Sequence, residues 1–220
     1  MPRTRKPLSA ERIAAAALAL VDKDGLDGFS FRILAKKLGC EAMSIYHYYP
    51  SKAHLFDAMV EMCIAETEIP SSEMHWIERL RRVCHAYRAT ALRHPGFFPY
   101  FAVYRMNSRA GLSFLNRIVE IFQQSGLSPA RQAAHFRVIG YYIMGAGLDE
   151  AQGYVRGPSA TEPVPEKTAE TEFPAIMSIG PFFSKPHHEA TFSDGLEALL
   201  RSLADEAGSG MPDRSNEPRP

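Results

Sequence analysis

Cysteine is scarce in this chain of 220 residues: Cys40, Cys63 and Cys84 are the only three. An odd number with no close pairing motif excludes a disulfide scaffold and points to reduced thiols in a cytoplasmic protein. No apolar run reaches the length needed to cross a bilayer, so no membrane partner is expected. The basic start, Met1 to Pro7, has no hydrophobic stretch after it and does not read as a signal peptide. Signatures of catalysis are missing as well. There is no nucleophile elbow, no phosphate-binding glycine loop and no His-Glu pairing at zincin spacing, so a non-enzyme without a cofactor is expected. Internal repeats are absent. So is a net charge: 25 Lys and Arg balance 25 Asp and Glu, which argues against a generally adhesive basic protein.

What is present is a hydrophobic fraction of 45%, enough for a globular protein of one large or two small domains. The charge is unevenly spread. Residues 1 to 52 carry nine Lys and Arg against five acids, so the remainder of the chain is acidic by the same margin. A basic head on an acidic body suits a protein whose one end meets phosphate. Within that head, residues 30 to 52 read as two short helices meeting at Gly39, the second unable to pass Pro50. Ser30 is placed to cap the first, Leu34 and Leu38 continue its buried stripe, Ala35 gives a small crossing residue and Ile45 faces the core. A helix from Ser9 to Val21, stopped by Gly25, precedes the pair, and Ser51 opens another that carries Leu55, Phe56, Met59 and Val60. This is a helix-turn-helix, which makes double-stranded DNA the expected partner.

The run Arg12-Ile13-Ala14 to Leu20-Val21, Gly25 to Gly28, Phe31-Arg32-Ile33-Leu34-Ala35, Leu38-Gly39, Ser44-Ile45-Tyr46-His47-Tyr48-Tyr49 and Lys52 resembles the N-terminal domain of the tetracycline-repressor family. The resemblance implies a homodimeric, cytoplasmic transcriptional regulator, most naturally a repressor released from a near-palindromic operator by a small-molecule effector. At the start of the second helix Ala42, Met43, Ser44 and His47 are the candidate base readers, with Glu41 set against the helix N-terminus. Ser30, Arg32, Tyr46, Tyr48 and Lys52 are placed near phosphates by the resemblance.

The rest of the chain stays helical. Trp76 to Leu92 is amphipathic, His94-Pro95-Gly96 breaks it with Gly96 as a candidate joint, and a helix from Ser108 or Ala110 to Gln124 precedes one from Ser128 to about Gln152. A loose proline-rich and glycine-rich stretch over 153–186, with a short helix near Phe173 to Ile179, leads to a last helix from about 190 to 204. The expected fold is all-α. Its divisions are a basic arm at 1–7, the helix-turn-helix domain at 8–52, a ligand-binding and dimerisation domain at 53–206 and a disordered tail at 207–220. The long and terminal helices resemble those that form a four-helix bundle between subunits in the tetracycline repressors. Tyr142, Gly145, Leu196, Leu199, Leu200 and Leu203 are the candidate dimer contacts, although a leucine stripe does not by itself name its partner.

Phe97, Phe98, Tyr100, Phe101, Tyr104, Phe114, Phe122 and Tyr141 are the candidate lining for an apolar, partly aromatic effector, with Met106, Tyr142 and Met144 in the same cluster. In tetracycline repressors a histidine following the first long body helix coordinates the drug's magnesium. The matching stretch here, Phe98-Pro99-Tyr100-Phe101, has no histidine, so no metal site is expected. Asp149 and Glu150 read as solvated, and His187-His188 lacks ligand spacing. Two other readings remain open: a thiol-sensing DNA-binding regulator using Cys40, and a helical small-molecule-binding protein whose helix-turn-helix is structural.

Overall fold

The computed structural model describes residues 7–153 and 160–209, and among these every regular element is helical. Most of the expected basic arm, residues 154–159 and the segment from 210 onward lie outside the described residues. No helix among the described residues is long and apolar enough to cross a membrane.

The head is built by local capping. Helix α1 (Ala10–Asp24) begins at Ser9, whose hydroxyl accepts from the Arg12 amide, and α2 (Phe31–Leu38) begins at Ser30, which accepts from Ile33 N. Gly39 then takes the left-handed conformation, φ 69° and ψ 36°, which a side chain would resist. Helix α3 (Ala42–Tyr46) follows and α4 (Lys52–Glu66) starts at the Ser51 cap. Helix α3 stops well before Pro50, and the tyrosines after it anchor the turn to the start of the chain: the Tyr48 hydroxyl donates to Leu8 O at 2.9 Å and the Tyr49 hydroxyl to Ala10 O at 3.0 Å. Ile13, Ala17, Val21, Leu34, Ile45, Leu55 and Met59 close a small core beneath these helices.

In the body, α5 (Trp76–Arg93) leads through His94 and Gly96 into the short α6 (Phe98–Val103). Helix α7 (Arg109–Gln123) and the long α8 (Pro129–Gln152) follow, each opened by a serine cap. Helix α8 packs on α5, α6 and α7 and on the terminal helix α11 (Lys185–Ser209). The stretch read as loose holds the expected short helix, α10 (Pro174–Ile179), and in addition α9 (Glu166–Glu172) and a 3-10 turn at Gly180–Phe183. Pro174 and Pro181 sit in first turns, where a missing amide is harmless, and Pro165 is the N-cap of α9, so these prolines start helices rather than break them. The same tolerance at Pro186 lets α11 begin earlier than expected, and it reaches Ser209, into the expected tail.

The leucine stripe is a correction. Leu196, Leu200 and Leu203, with Phe192, are buried against the chain's own α5 and α8 and are not free to meet another subunit. Tyr142 is also engaged within the chain, its ring stacked on Phe192 at 5.6 Å and its hydroxyl donating to Phe192 O at 2.7 Å. Leu199 is half-buried and Gly145 exposed on the outer side.

Candidate nucleic-acid interface and effector cavity

The α2–α3 unit presents a continuous outer surface. Arg32, His47 and Lys52 are exposed, Met43 is 66% exposed, and Tyr46 and Tyr48 are each 44% exposed. Ala42 and Ser44 are half-buried between them, and Ser30 sits at the α2 N-terminus with its hydroxyl engaged in the cap. The Tyr46 ring leans on Phe31 at 4.7 Å, and the Lys52 ammonium lies 5.3 Å and 5.0 Å from the Phe29 and Phe56 ring centres, so both project from an ordered base. Glu41 departs from expectation. It occupies the N-cap position of α3 but makes no side-chain capping bond.

A partly open apolar cavity of about 220 Å³ lies between the body helices. Helix α5 contributes Leu80, Val83, Cys84 and Tyr87; the α6 side contributes Ala102, Tyr104 and Met106. Phe114, Leu115, Ile118 and Phe122 come from α7, and Phe136, Ile139, Gly140, Ile143 and Met144 from α8. Of the expected cluster Tyr104, Met106, Phe114, Phe122 and Met144 are there. Phe97, Phe98 and Phe101 are 0–1% exposed and serve the core: Phe97 packs edge-on to Phe56, Phe98 covers Gly147, and Phe101 stacks on Tyr87 at 5.6 Å. Tyr100 packs on Phe56 and Phe97, and Tyr141, 60% exposed, lines an outer groove between α7 and α8. That groove shares Phe122, Phe136, Gly140 and Met144 with the cavity. The residues that sequence reading passed over are mostly aliphatic, with Tyr87 and Phe136 the aromatic exceptions, and their signal was the convergence of ordinary apolar stripes from α5, α7 and α8.

Several polar links join body and head. Tyr104 donates its hydroxyl to Asp57 Oδ1 on α4 at 2.7 Å, and that bond with burial pushes the phenol up to about 12. His94 contacts Asp22 of α1 at 2.7 Å through Nδ1 and Glu66 of α4 at 3.0 Å through Nε2, while Arg93 also pairs with Glu66. Burial lowers the His94 pKa, but bonds to the two carboxylates outweigh it and leave it raised. Phe97 N donates to Asp22 Oδ1 at 3.3 Å, so the α5–α6 turn grips the end of α1. Gly96 is buried in that turn against the Val21 backbone, a point of close packing rather than the expected joint.

Elsewhere, Glu150 is not solvated. It is 8% exposed and holds Arg88 at 2.7 to 3.1 Å. No cluster of His, Cys, Asp or Glu suited to a metal occurs among the described residues. Cys40 is half-buried in the turn, and burial pushes the Cys63 and Cys84 thiols up to about 12.

A helix-turn-helix head on an all-helical body with an apolar cavity between its helices defines a class, the effector-controlled DNA-binding regulators. Residues 13–59 match the family described as bacterial regulatory proteins, tetR family, and residues 69–206 match the tetracyclin repressor-like C-terminal domain. The chain therefore belongs to the tetracycline-repressor (TetR) family of ligand-responsive, homodimeric transcriptional regulators that bind operator DNA. The class A tetracycline repressor of transposon 1721 from Escherichia coli is 27% identical, over 90% of this chain and 91% of that protein. The transcriptional repressor DrrR1 of Streptomyces coeruleorubidus is 25% identical, over 91% of this chain and 79% of that protein. The fold is shared with ActR of Streptomyces coelicolor, solved in complex with actinorhodin: TM-score 0.72, 23% identity, covering 93% of this chain and 99% of that one. Family membership removes the reading of a helical protein without DNA function, and it favours effector control over a thiol sensor at Cys40.

Proposed function

We propose that this regulator is a repressor whose dimer holds a near-palindromic operator until a small apolar or aromatic molecule fills the cavity between α5, α6, α7 and α8. The observation that carries the reading is the Tyr104–Asp57 bond. It ties a cavity wall to α4, and the first residue of α4 is the exposed Lys52. A ligand that displaces Tyr104 moves α4 and with it the spacing of the two heads, and no base contact need change. In the dimer, two heads address half-sites about one helical turn apart or slightly more. Their subunits meet across the outer side of α8 and α11, where Val138, Tyr141, Gly145, Ala198 and Leu199 replace the buried leucines as the contact set.

On DNA, Ala42 and Met43 touch thymine methyls, Ser44 exchanges a hydrogen bond with a base edge and His47 donates to guanine or phosphate. Arg32, Tyr46 and Lys52 set the register on phosphates, with Ser30 and Tyr48, whose hydroxyls also serve the head's own backbone. An operator selected from random duplex DNA supplies the test. Lys52→Ala should weaken all sequences alike and reduce the salt slope by about one unit, whereas Ser44→Ala should change preference at one position. A changed sequence preference in Lys52→Ala would reverse these roles.

The coupling has a ligand-free test. Ala102, at the cavity edge on α6, becomes a partial filling when replaced by leucine. With the fold intact by circular dichroism, Ala102→Leu should weaken operator binding by about 5-fold or more, the lower end of ordinary allosteric coupling. Unchanged operator affinity would detach the cavity from the head.

A further inference from the structure

The cavity has one polar opportunity. Tyr87 is 7% exposed and lines it, and none of the hydrogen bonds among the described residues uses its hydroxyl. Among those residues, no side-chain nitrogen or oxygen fully sealed from solvent lacks a partner, so this oxygen keeps accessible surface. For a side chain so deeply buried, that surface is the cavity. Of the other polar groups of the lining, the Tyr104 hydroxyl gives its proton to Asp57 and offers a ligand only its acceptor lone pairs while that bond holds, and burial holds the Cys84 thiol in its protonated form. No Asp, Glu, His, Lys or Arg is among the lining residues.

Resting on the reading of this cavity as the effector site, we infer that the effector is an uncharged one- or two-ring apolar molecule with a single hydrogen-bonding oxygen, and that Tyr87 determines its selection. Three arguments converge. A carboxylate or ammonium would enter without a counter-charge and lose its hydration. A metal chelate of the tetracycline kind would find no histidine or carboxylate to complete its coordination. Size then limits the skeleton: at about 220 Å³ the space falls below the roughly 300 Å³ at which drug-sized pockets begin. A four-ring, many-oxygen compound would have to extend into the adjoining α7–α8 groove, and any surplus oxygen inside the cavity would face Leu80, Ile118, Ile139 and Ile143 without a partner. One oxygen, set against Tyr87, is the number the lining satisfies.

The test uses the full-length protein with naphthol, naphthalene, naphthoate and magnesium–tetracycline as probes, titrated calorimetrically. Naphthol should bind wild type about tenfold more tightly than naphthalene, the size of one neutral hydrogen bond. Tyr87→Phe should erase that preference while still binding naphthalene. Binding of naphthoate or magnesium–tetracycline more tightly than naphthol would overturn the inference, as would a Tyr87→Phe protein that keeps the naphthol preference. Occupancy is read independently in wild type from methionine-methyl resonances, so the inference does not depend on the variant folding. Met106 and Met144 should shift with naphthol, and resonances that stay in place would overturn it. Operator gel shifts separate the two levels. Naphthol seated in the cavity without operator release would sink the effector reading and leave the ligand class standing. Release driven by an anion or a chelate would do the reverse.

Discussion

Replacing Gly96 with alanine should lower the thermal midpoint by roughly 6–12 °C, the equivalent of about 3 kcal/mol in a protein of this length. An added Cβ would sit 2.6 Å from Asp22 Cα and 2.8 Å from the Val21 carbonyl carbon, and closer still to the Val21 oxygen. All three atoms are backbone at the end of α1, so no rotamer change relieves the clash. Nor can α1 drift away without breaking the contacts of Asp22 with His94 and with the Phe97 amide. The same variant should lose pH dependence. The raised His94 pKa means that its contribution to stability is fully present below the ordinary histidine range and fades as pH rises through the higher folded value. Loosening the turn from α1 removes one of the two carboxylates that hold the proton. Calorimetry at several pH values, with Gly140→Ala as the comparison, decides the matter. A Cβ at Gly140 meets nothing within 4 Å and lies inside α8, so that change should be neutral or stabilising by up to about 1 kcal/mol. If both variants melt alike, the close packing at Gly96 is not what secures the head.

The head was legible because its signals are local. Ser30, Gly39 and Ser51 act on their own backbone within a few residues, so the sequence positions of caps and turn are their structural positions. The body was legible as helices but not as a cavity. Aromatic density at 97–104 marks a packing centre, and a packing centre is filled by the residues that create it. Phe97, Phe98 and Phe101 satisfy one another and Phe56, Tyr87 and Gly147. The void forms instead where aliphatic faces of α5, α7 and α8 stand apart, a property of helix spacing that no single stripe records. The leucines of α11 failed for a related reason. Burial is encoded by an apolar stripe, but whether the cover comes from the same chain or from another is a matter of topology. Asp22, Asp57 and Glu66 escaped attention, and Glu150 was read as solvated, because a carboxylate on a helix gives no sign of the distant cation or hydroxyl that engages it.

Glu150→Ala should destabilise the protein by about 3 kcal/mol, the low end of what breaking a buried ion pair costs. The side chains of Arg88 and Glu150 are only 8% and 7% exposed, and three hydrogen bonds of 2.7 to 3.1 Å join them. Removing the carboxylate leaves the guanidinium inside the α5–α8–α11 junction, over the Phe192 ring at 4.8 Å. Its remaining anionic partner is Glu189, which is 65% exposed and offers weaker, solvent-screened compensation, hence the low end of the range. Burial works against the Arg88 charge, but the bonds to Glu150 and Glu189 overcome it and raise its pKa, so the residue stays charged and must be accommodated. Glu150→Gln keeps an acceptor and the side-chain length, and its loss should be smaller, about 1–2 kcal/mol. The informative variant is the double replacement Arg88→Met with Glu150→Leu, which removes both charges and refills the space. It should recover most of the loss, because the pair is expensive to break yet contributes little net stability over an apolar filling. Urea unfolding at one fixed protein concentration closes the cycle, the concentration being held because dimerisation adds to apparent stability. A double variant no more stable than Glu150→Ala would mean that the pair itself, and not merely the avoidance of an orphaned charge, holds the junction together.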